Sequence, residues 1–357
     1  MVAMITGTTL MGGYVMENYK RMNPLTPPGQ LVEIEVDGQK QSVHAQFFSN
    51  EKSQVVVVLD GSAGETSFDF SKVAPKLAEF ATVLAIDRPG LGFSTPGSLP
   101  RTAEKISSEY LAVLDKLQIN GQLVLVGHGN GGYNMRQLAL DIPSSPLDLT
   151  VSGMVLVDSL HESVRGNMNA ISPAINTALH KREDNPATLL KYSHWGLLRL
   201  VYWMQYKKNV ARYQPSAIEY VDSFAPSPPH RRGVVHEAEA ASAIEEHFLN
   251  TTQAPLECPL VVLSHDVKGM FSTMLFEPDV NNEMVAAMEN EWKKGQCALL
   301  SLSKTSVHRI VAGSDIPHDK PEELIAATLA IVNEIQGKKE GGVQSLASTS
   351  CPIGNQE

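Results

Sequence analysis

At 357 residues the chain is long enough to bury the core of one large domain carrying a substantial insertion. Its 29 basic against 39 acidic residues give a net charge of -10, which argues against a surface for nucleic acid and for ordinary solubility. Cys258, Cys297 and Cys351 are odd in number and scattered, so neither a disulfide framework nor a closely spaced metal cluster is expected, and a reducing, cytoplasmic compartment is the default.

Residues Val2 to Met16 are uncharged and mildly apolar, interrupted by Gly7, Thr8, Thr9, Gly12 and Gly13. They fall short of the ~20 apolar residues of a membrane span, which predicts a flexible or surface-packed arm over residues 1–30. A weak membrane anchor or a secretion signal is the alternative for residues 2–16, and only then does the sequon Asn250-Thr251-Thr252 matter.

Leu31–Val36 and Ser42–Phe48 alternate apolar and polar residues around Asp37-Gly38, the pattern of an exposed antiparallel hairpin. Gln54–Asp60 is instead a continuous apolar run, as in a strand covered on both faces. A small-residue loop, Asp60-Gly61-Ser62-Ala63-Gly64, follows it, and a helix-like stretch runs from Phe68 to Phe80. Thr82–Ile86 is the next buried strand. It ends in Asp87-Arg88-Pro89-Gly90-Leu91-Gly92-Phe93-Ser94, where Asp87 pairing with Arg88 predicts a structural role for both. Apolar positions at helical spacing mark 103–117, and Gln122–Val126 is a strand.

That strand runs into Gly127-His128-Gly129-Asn130-Gly131-Gly132, with a helix following from Tyr133. Strand, sharp glycine turn and helix form a nucleophile elbow, whose motif is G-x-S-x-G; here Gly129 stands where the serine belongs. The backbone N–H groups around Gly61 and Ser62, together with that of Asn130, are the expected oxyanion donors, with His128 beside them.

The loop 60–64, the loop 87–94, the elbow and the strand Met154–Val157 with its sequel Asp158-Ser159-Leu160-His161 resemble, in this order, the α/β-hydrolase superfamily. The similarity is greatest to the branch whose loop reads D-R-x-G-x-G-x-S, and it covers roughly residues 30 to 335. It implies an α/β fold with a mostly parallel central sheet and a helical cap insertion: an arm over 1–30, a core over 31–159 and 256–336, a cap over 160–255 and a disordered tail over 337–357. Within the cap, Trp195, Tyr202, Trp203 and Tyr206 are candidates to line a pocket, and Pro226–Arg232 reads as a basic, proline-rich loop.

The resemblance places the triad acid at Asp266, after the strand Pro259–Leu263, with Asp158 as the alternative. After the last strand, Val307–Val311, relatives carry a loop like G-H-x-I-x-x-D-x-P-E. Gly313, Ile316, Asp319, Pro321 and Glu322 fit that register and put Ser314 at the histidine. His318 lies beyond Pro317, near the start of the last helix, as a weak substitute base. Acyl transfer needs a nucleophile and a base, and both positions are substituted. The expectation is therefore a hydrolase-like fold that binds a small apolar or ester-like molecule without efficient hydrolysis, needing neither cofactor nor metal. The alternatives are a non-hydrolytic lyase or cyclase in the same pocket, and an esterase with a relocated nucleophile such as Ser62 or Ser159. The oligomeric state is not set by these patterns.

Overall fold

A computed structural model describes residues 2–183, 185–338, 342–346 and 351, with the side chains of 2–10, 183 and 209 set aside. One eight-stranded sheet organises the chain, in the order β1-β2-β4-β3-β5-β6-β7-β8. Its strands are β1 (Gln30–Val36), β2 (Gln39–Phe48), β3 (Val55–Asp60), β4 (Thr82–Ile86), β5 (Gly121–His128), β6 (Leu149–Val157), β7 (Leu260–His265) and β8 (Ser306–Val311). β1 and β2 form the antiparallel edge hairpin around Asp37-Gly38, and β2 pairs antiparallel with β4. All other neighbours are parallel.

The continuous apolar run of β3 is buried at every position because helices cover both faces of the sheet. Its side chains alternate: Val56 and Val58 enter the core beneath Ile106, Tyr110 and Met135, while Val55, Val57 and Leu59 meet Phe70, Leu324 and Ile331 on the other face. Burying each such Val or Leu contributes about 1.5–3 kcal/mol. The parallel order carries the C-terminal ends of β3, β5, β6, β7 and β8 to one edge of the sheet, the usual location of ligands in such folds.

Between β6 and β7 the described chain is helical: Ser163–Asn169, Pro173–Glu183, Asn185–His194, Leu197–Met204, Tyr206–Arg212, Pro215–Phe224 and Pro228–Asn250. The segment expected as a basic loop instead opens the longest of these, because Ser227 precedes two prolines whose fixed φ suits a helix start. The stretch 68–80 is not one helix but a 3₁₀ turn, Ser67–Phe70, followed by the short helix Ala74–Leu77. The N-terminal residues Val2–Met22 form a helix packed on the cap. No helix among the described residues is long and apolar enough to cross a membrane.

Two expectations near the C-terminus are corrected. Cys297 and Cys351 are joined by a disulfide across 54 residues, a pairing that scattered spacing concealed because the fold, not the sequence, brings the two together. The tail is not uniformly disordered: Val343–Leu346 forms a 3₁₀ turn with Val343 fully buried against the core. Residues 339–341, 347–350 and 352–357 of the expected tail lie outside the described residues.

Candidate functional site

The elbow takes the expected shape. Gly129 follows β5 with φ +53°, and its N–H donates to the Val157 carbonyl at 2.9 Å. Gly127 lies so close to the next helix that a Cβ there would come within 2.6 Å of Gly132 Cα. A Cβ on Gly129 would lie 2.8 Å from Ser62 Cβ and closer still to Ser62 Oγ. The space of an elbow side chain is therefore filled by a neighbouring serine.

The expected oxyanion donor is also engaged. Ser62 N–H donates to Glu65 Oε2 at 2.7 Å, and the same oxygen lies 2.7 Å from His128 Nδ1. Ser62-Ala63-Gly64-Glu65 has the S-x-x-E spacing by which an acidic side chain reaches back to a backbone N–H three residues earlier, so this engagement had a sequence signal. Arg88 holds the same loop from the other side. Its guanidinium donates to the Gly61 carbonyl at 3.0 Å and the Ser62 carbonyl at 2.8 Å, pairs with Asp60, and binds Glu237 of the helix Pro228–Asn250 through Nε at 2.7 Å and Nη2 at 2.9 Å. Arg88 does not pair with Asp87; that carboxylate is 2.9 Å from His44 Nδ1 and accepts from Ser67 N–H at 2.9 Å, because the chain turns the two side chains to opposite sides.

Around Glu65 lies a layer of alternating charges. Arg212 approaches Glu65 Oε1 at 3.4 Å and Asp315 Oδ2 at 2.6 Å. His318 sits with Nδ1 2.9 Å from Asp315 and Nε2 3.3 Å from Asp69, and Tyr213 donates its hydroxyl to Asp69 at 3.0 Å. Burial disfavours the His128 cation, but the Glu65 carboxylate prevails and raises its pKa to about 9. Burial works likewise against Asp315, and the His318 and Arg212 cations pull it down to about 2. Burial opposes the His318 cation too, yet hydrogen bonds to Asp315 and Asp69 raise its pKa. His230, by contrast, is pushed down to about 3 by burial and the Arg231 charge; its neutral Nδ1 accepts from Gly92 N–H at 3.2 Å.

This layer floors a cavity of about 440 Å³ lined by Ser62, Glu65, Asp69, His128, Arg212 and Tyr213 on the polar side, with Val221, Phe224, Ala225 and Val234 on the apolar side. Of the four aromatic candidates, Tyr202 lines it, its hydroxyl accepting from Arg231 at 2.6 Å. Trp195, Trp203 and Tyr206 are each exposed by half or more: Trp195 precedes the helix Leu197–Met204, Trp203 sits about 100° round it from Tyr202, and Tyr206 follows its end.

The remaining sequence candidates separate into two groups. Gly61, Ser62, His128, Gly129 and Asn130 converge at the elbow, with Asn130 opening the helix Gly131–Asp141. Asp266 is exposed and its carboxylate accepts from local backbone, Lys268 N–H at 3.1 Å. Ser314 is exposed and donates to Asp319 at 3.2 Å. His318 lies in the turn just before the last helix, Pro321–Ile335, and is buried there with both its ring nitrogens facing carboxylates. Ser159 is fully buried, donating to the Gly127 carbonyl at 2.9 Å. Asp158, with a left-handed backbone at φ +44°, accepts from His265 N–H at 2.8 Å and lies 2.7 Å from His265 Nδ1. Nothing in the sequence signals that Asp–His contact, which joins the ends of adjacent strands 107 residues apart.

Among the described residues, two groups have ligand-type atoms within 4.8 Å of one another: Cys297, His308 and Cys351, and Glu65, Asp69 and His318. The disulfide occupies both sulfurs of the first, and Arg212 already supplies a cation to the carboxylates of the second.

The His128 charge carries a pH dependence. In the unfolded chain this imidazole titrates near 6.5, and in the fold near 9. Its ion pair therefore stabilises fully below pH 6.5 and its contribution is lost as the pH rises through 9. Denaturant titrations across that interval should lose stability on the order of 3 kcal/mol, a loss that His128→Asn abolishes.

Comparison with known proteins follows the same lines. The epoxide hydrolase CorEH, without ligand, superimposes with a TM-score of 0.53 at 14% identity, over 86% of this chain and 99% of that one. A thermophilic esterase from Thermogutta terrifontis gives 0.53 at 18% identity, over 87% and 99%. At such identities these likenesses speak for the fold. The sequence model of the alpha/beta hydrolase family matches residues 55–327, from β3 into the last helix, and the chain belongs to that family.

Proposed function

We propose that this protein binds a small amphiphilic, ester-like molecule in the cavity above the elbow without hydrolysing it efficiently. In this reading the core spans 31–159 and 256–336, residues 160–255 cap it, and Gly129, Asp266 and Ser314 occupy the positions of nucleophile, acid and histidine. The observation that carries it is the arrangement at Ser62: its side chain fills the space beside Gly129 and its N–H is held by Glu65. An oxyanion donor already bonded to a carboxylate is not free to stabilise developing negative charge. The ionic floor suits a polar head and the 221–225 wall an apolar body.

The test is the intact mass of the protein after incubation with a fluorophosphonate. No adduct is expected. A stoichiometric adduct mapping to one serine would overturn the reading and establish a relocated nucleophile, with Ser62 the accessible candidate.

One observation favours a second reading, a non-hydrolytic enzyme of the lyase or cyclase kind. Asp158 orients His265, and the Asp158 hydrogen bond, acting against burial, raises the His265 pKa, as for an imidazole serving as acid or base. This reading requires that His265→Gln abolish a turnover that Gly129→Ala leaves intact.

A further inference from the structure

The N-terminal helix packs against the cap at a junction built for contact. Gly13 lies against the carbonyl of Trp195, leaving no room for a side chain; the rings of Tyr14 and Trp195 are 6.2 Å apart; and Glu17, almost fully buried, pairs with Arg199 at 2.6 Å. This fixes the helix beside the helix Leu197–Met204, although most of residues 11–22 is exposed.

What the two segments leave in solvent is unusual for so acidic a chain. Tyr14, Met16, Tyr19 and Met22 are exposed on the first, and Leu200, Trp203, Met204 and Tyr206 on or just after the second, with Trp203 73% and Met22 75% exposed. Residues 11–22 and 195–208 together hold five cations, Lys20, Arg21, Arg199, Lys207 and Lys208, against the single acid Glu17. Arg199 neutralises that acid in the interior, so the charges presented outward are Lys20, Arg21, Lys207 and Lys208. Residues Val2–Leu10, which precede them on the same helix, contain no charged residue.

We infer that the protein docks on the surface of an anionic lipid bilayer through this two-helix face. Trp, Tyr and Met suit the boundary between headgroups and acyl chains, and flanking lysines and arginine suit anionic headgroups. The helix is not long and apolar enough to span, so it lies in the plane of the interface. A second copy of the chain fits less well, because a two-fold contact brings the same four cations face to face. Docking in this way sets the mouth of the cavity at the lipid surface: Tyr202 and Gln205 line the cavity, while Trp203 and Met204, between them in sequence, face outward.

The experiment is co-sedimentation of the full chain with phosphatidylcholine vesicles and with mixed phosphatidylcholine–phosphatidylserine vesicles, alongside light scattering without lipid. The chain should pellet with the mixed vesicles, with affinity falling at least about tenfold on phosphatidylcholine alone or at high salt. Trp203→Glu with Met204→Glu, and separately Tyr19→Glu with Met22→Glu, should each abolish pelleting. These positions are exposed, and circular dichroism checks each pair; should one fail to fold, the other decides. Failure to pellet with mixed vesicles overturns the inference, as does undiminished pelleting of a folded variant pair. Self-association in light scattering that the same substitutions abolish, without vesicle binding, overturns it in favour of a second copy.

Discussion

Arg88→Met should cost about 3–5 kcal/mol in folding stability, the usual penalty for stranding buried charge by removing one partner. Arg88 is almost fully buried and is shared between Asp60, at the end of β3, and Glu237, on the long cap helix. Without it two carboxylates remain in the interior, Asp60 keeping its bond from Asn134 at 2.7 Å and its interaction with the Tyr110 hydroxyl, and Glu237 its bond from Gly64 N–H at 2.8 Å. The same change frees the Gly61 and Ser62 carbonyls, so the loop beside the elbow loosens and cap and core lose their shared clamp. Urea denaturation measures the loss, and Arg88→Met combined with Glu237→Gln should recover part of it because one stranded charge is gone. A loss below about 1 kcal/mol would mean that the clamp is dispensable and the acids are relieved by other means.

Gly129→Ala should cost about 2–4 kcal/mol, from two separable causes. A left-handed φ of +53° strains any residue with a side chain, and the new Cβ meets Ser62. A double-mutant cycle separates them: Ser62→Gly removes the collision but not the backbone strain, so the combined variant should regain about half of the loss. Additive effects in the cycle would show that Ser62 does not occupy the elbow space, and would weaken the structural basis for a non-hydrolytic site.

Much of the architecture was legible in the chain. The all-apolar β3 announced a strand covered on both faces, the alternation around Asp37-Gly38 announced an edge hairpin, and the glycines from 127 to 132 announced the elbow, because each pattern reflects a local steric or burial rule that no distant residue can alter. The emptied elbow was readable for the same reason. The bond from Ser62 N–H to Glu65 had a local signal too, in the spacing of the two residues. Periodicity marks 160–255 as helical but does not say which stripe faces inward; hence the sequence offers Trp203 and Tyr206 for the pocket on the same footing as Tyr202.

The sequence by itself determined the order of strands and turns along the chain and the glycine turn that joins β5 to the next helix, all of which are properties of residues and their near neighbours. Only the tertiary structure decided which charges meet: Arg88 with Glu237, Arg212 with Asp315, Asp158 with His265, and Cys297 with Cys351. The physical reason is that electrostatic pairing and disulfide formation depend on distances of a few ångströms, and those distances are set by how the parallel sheet gathers strand ends and how the helices close over them, through contacts between residues tens to hundreds of positions apart.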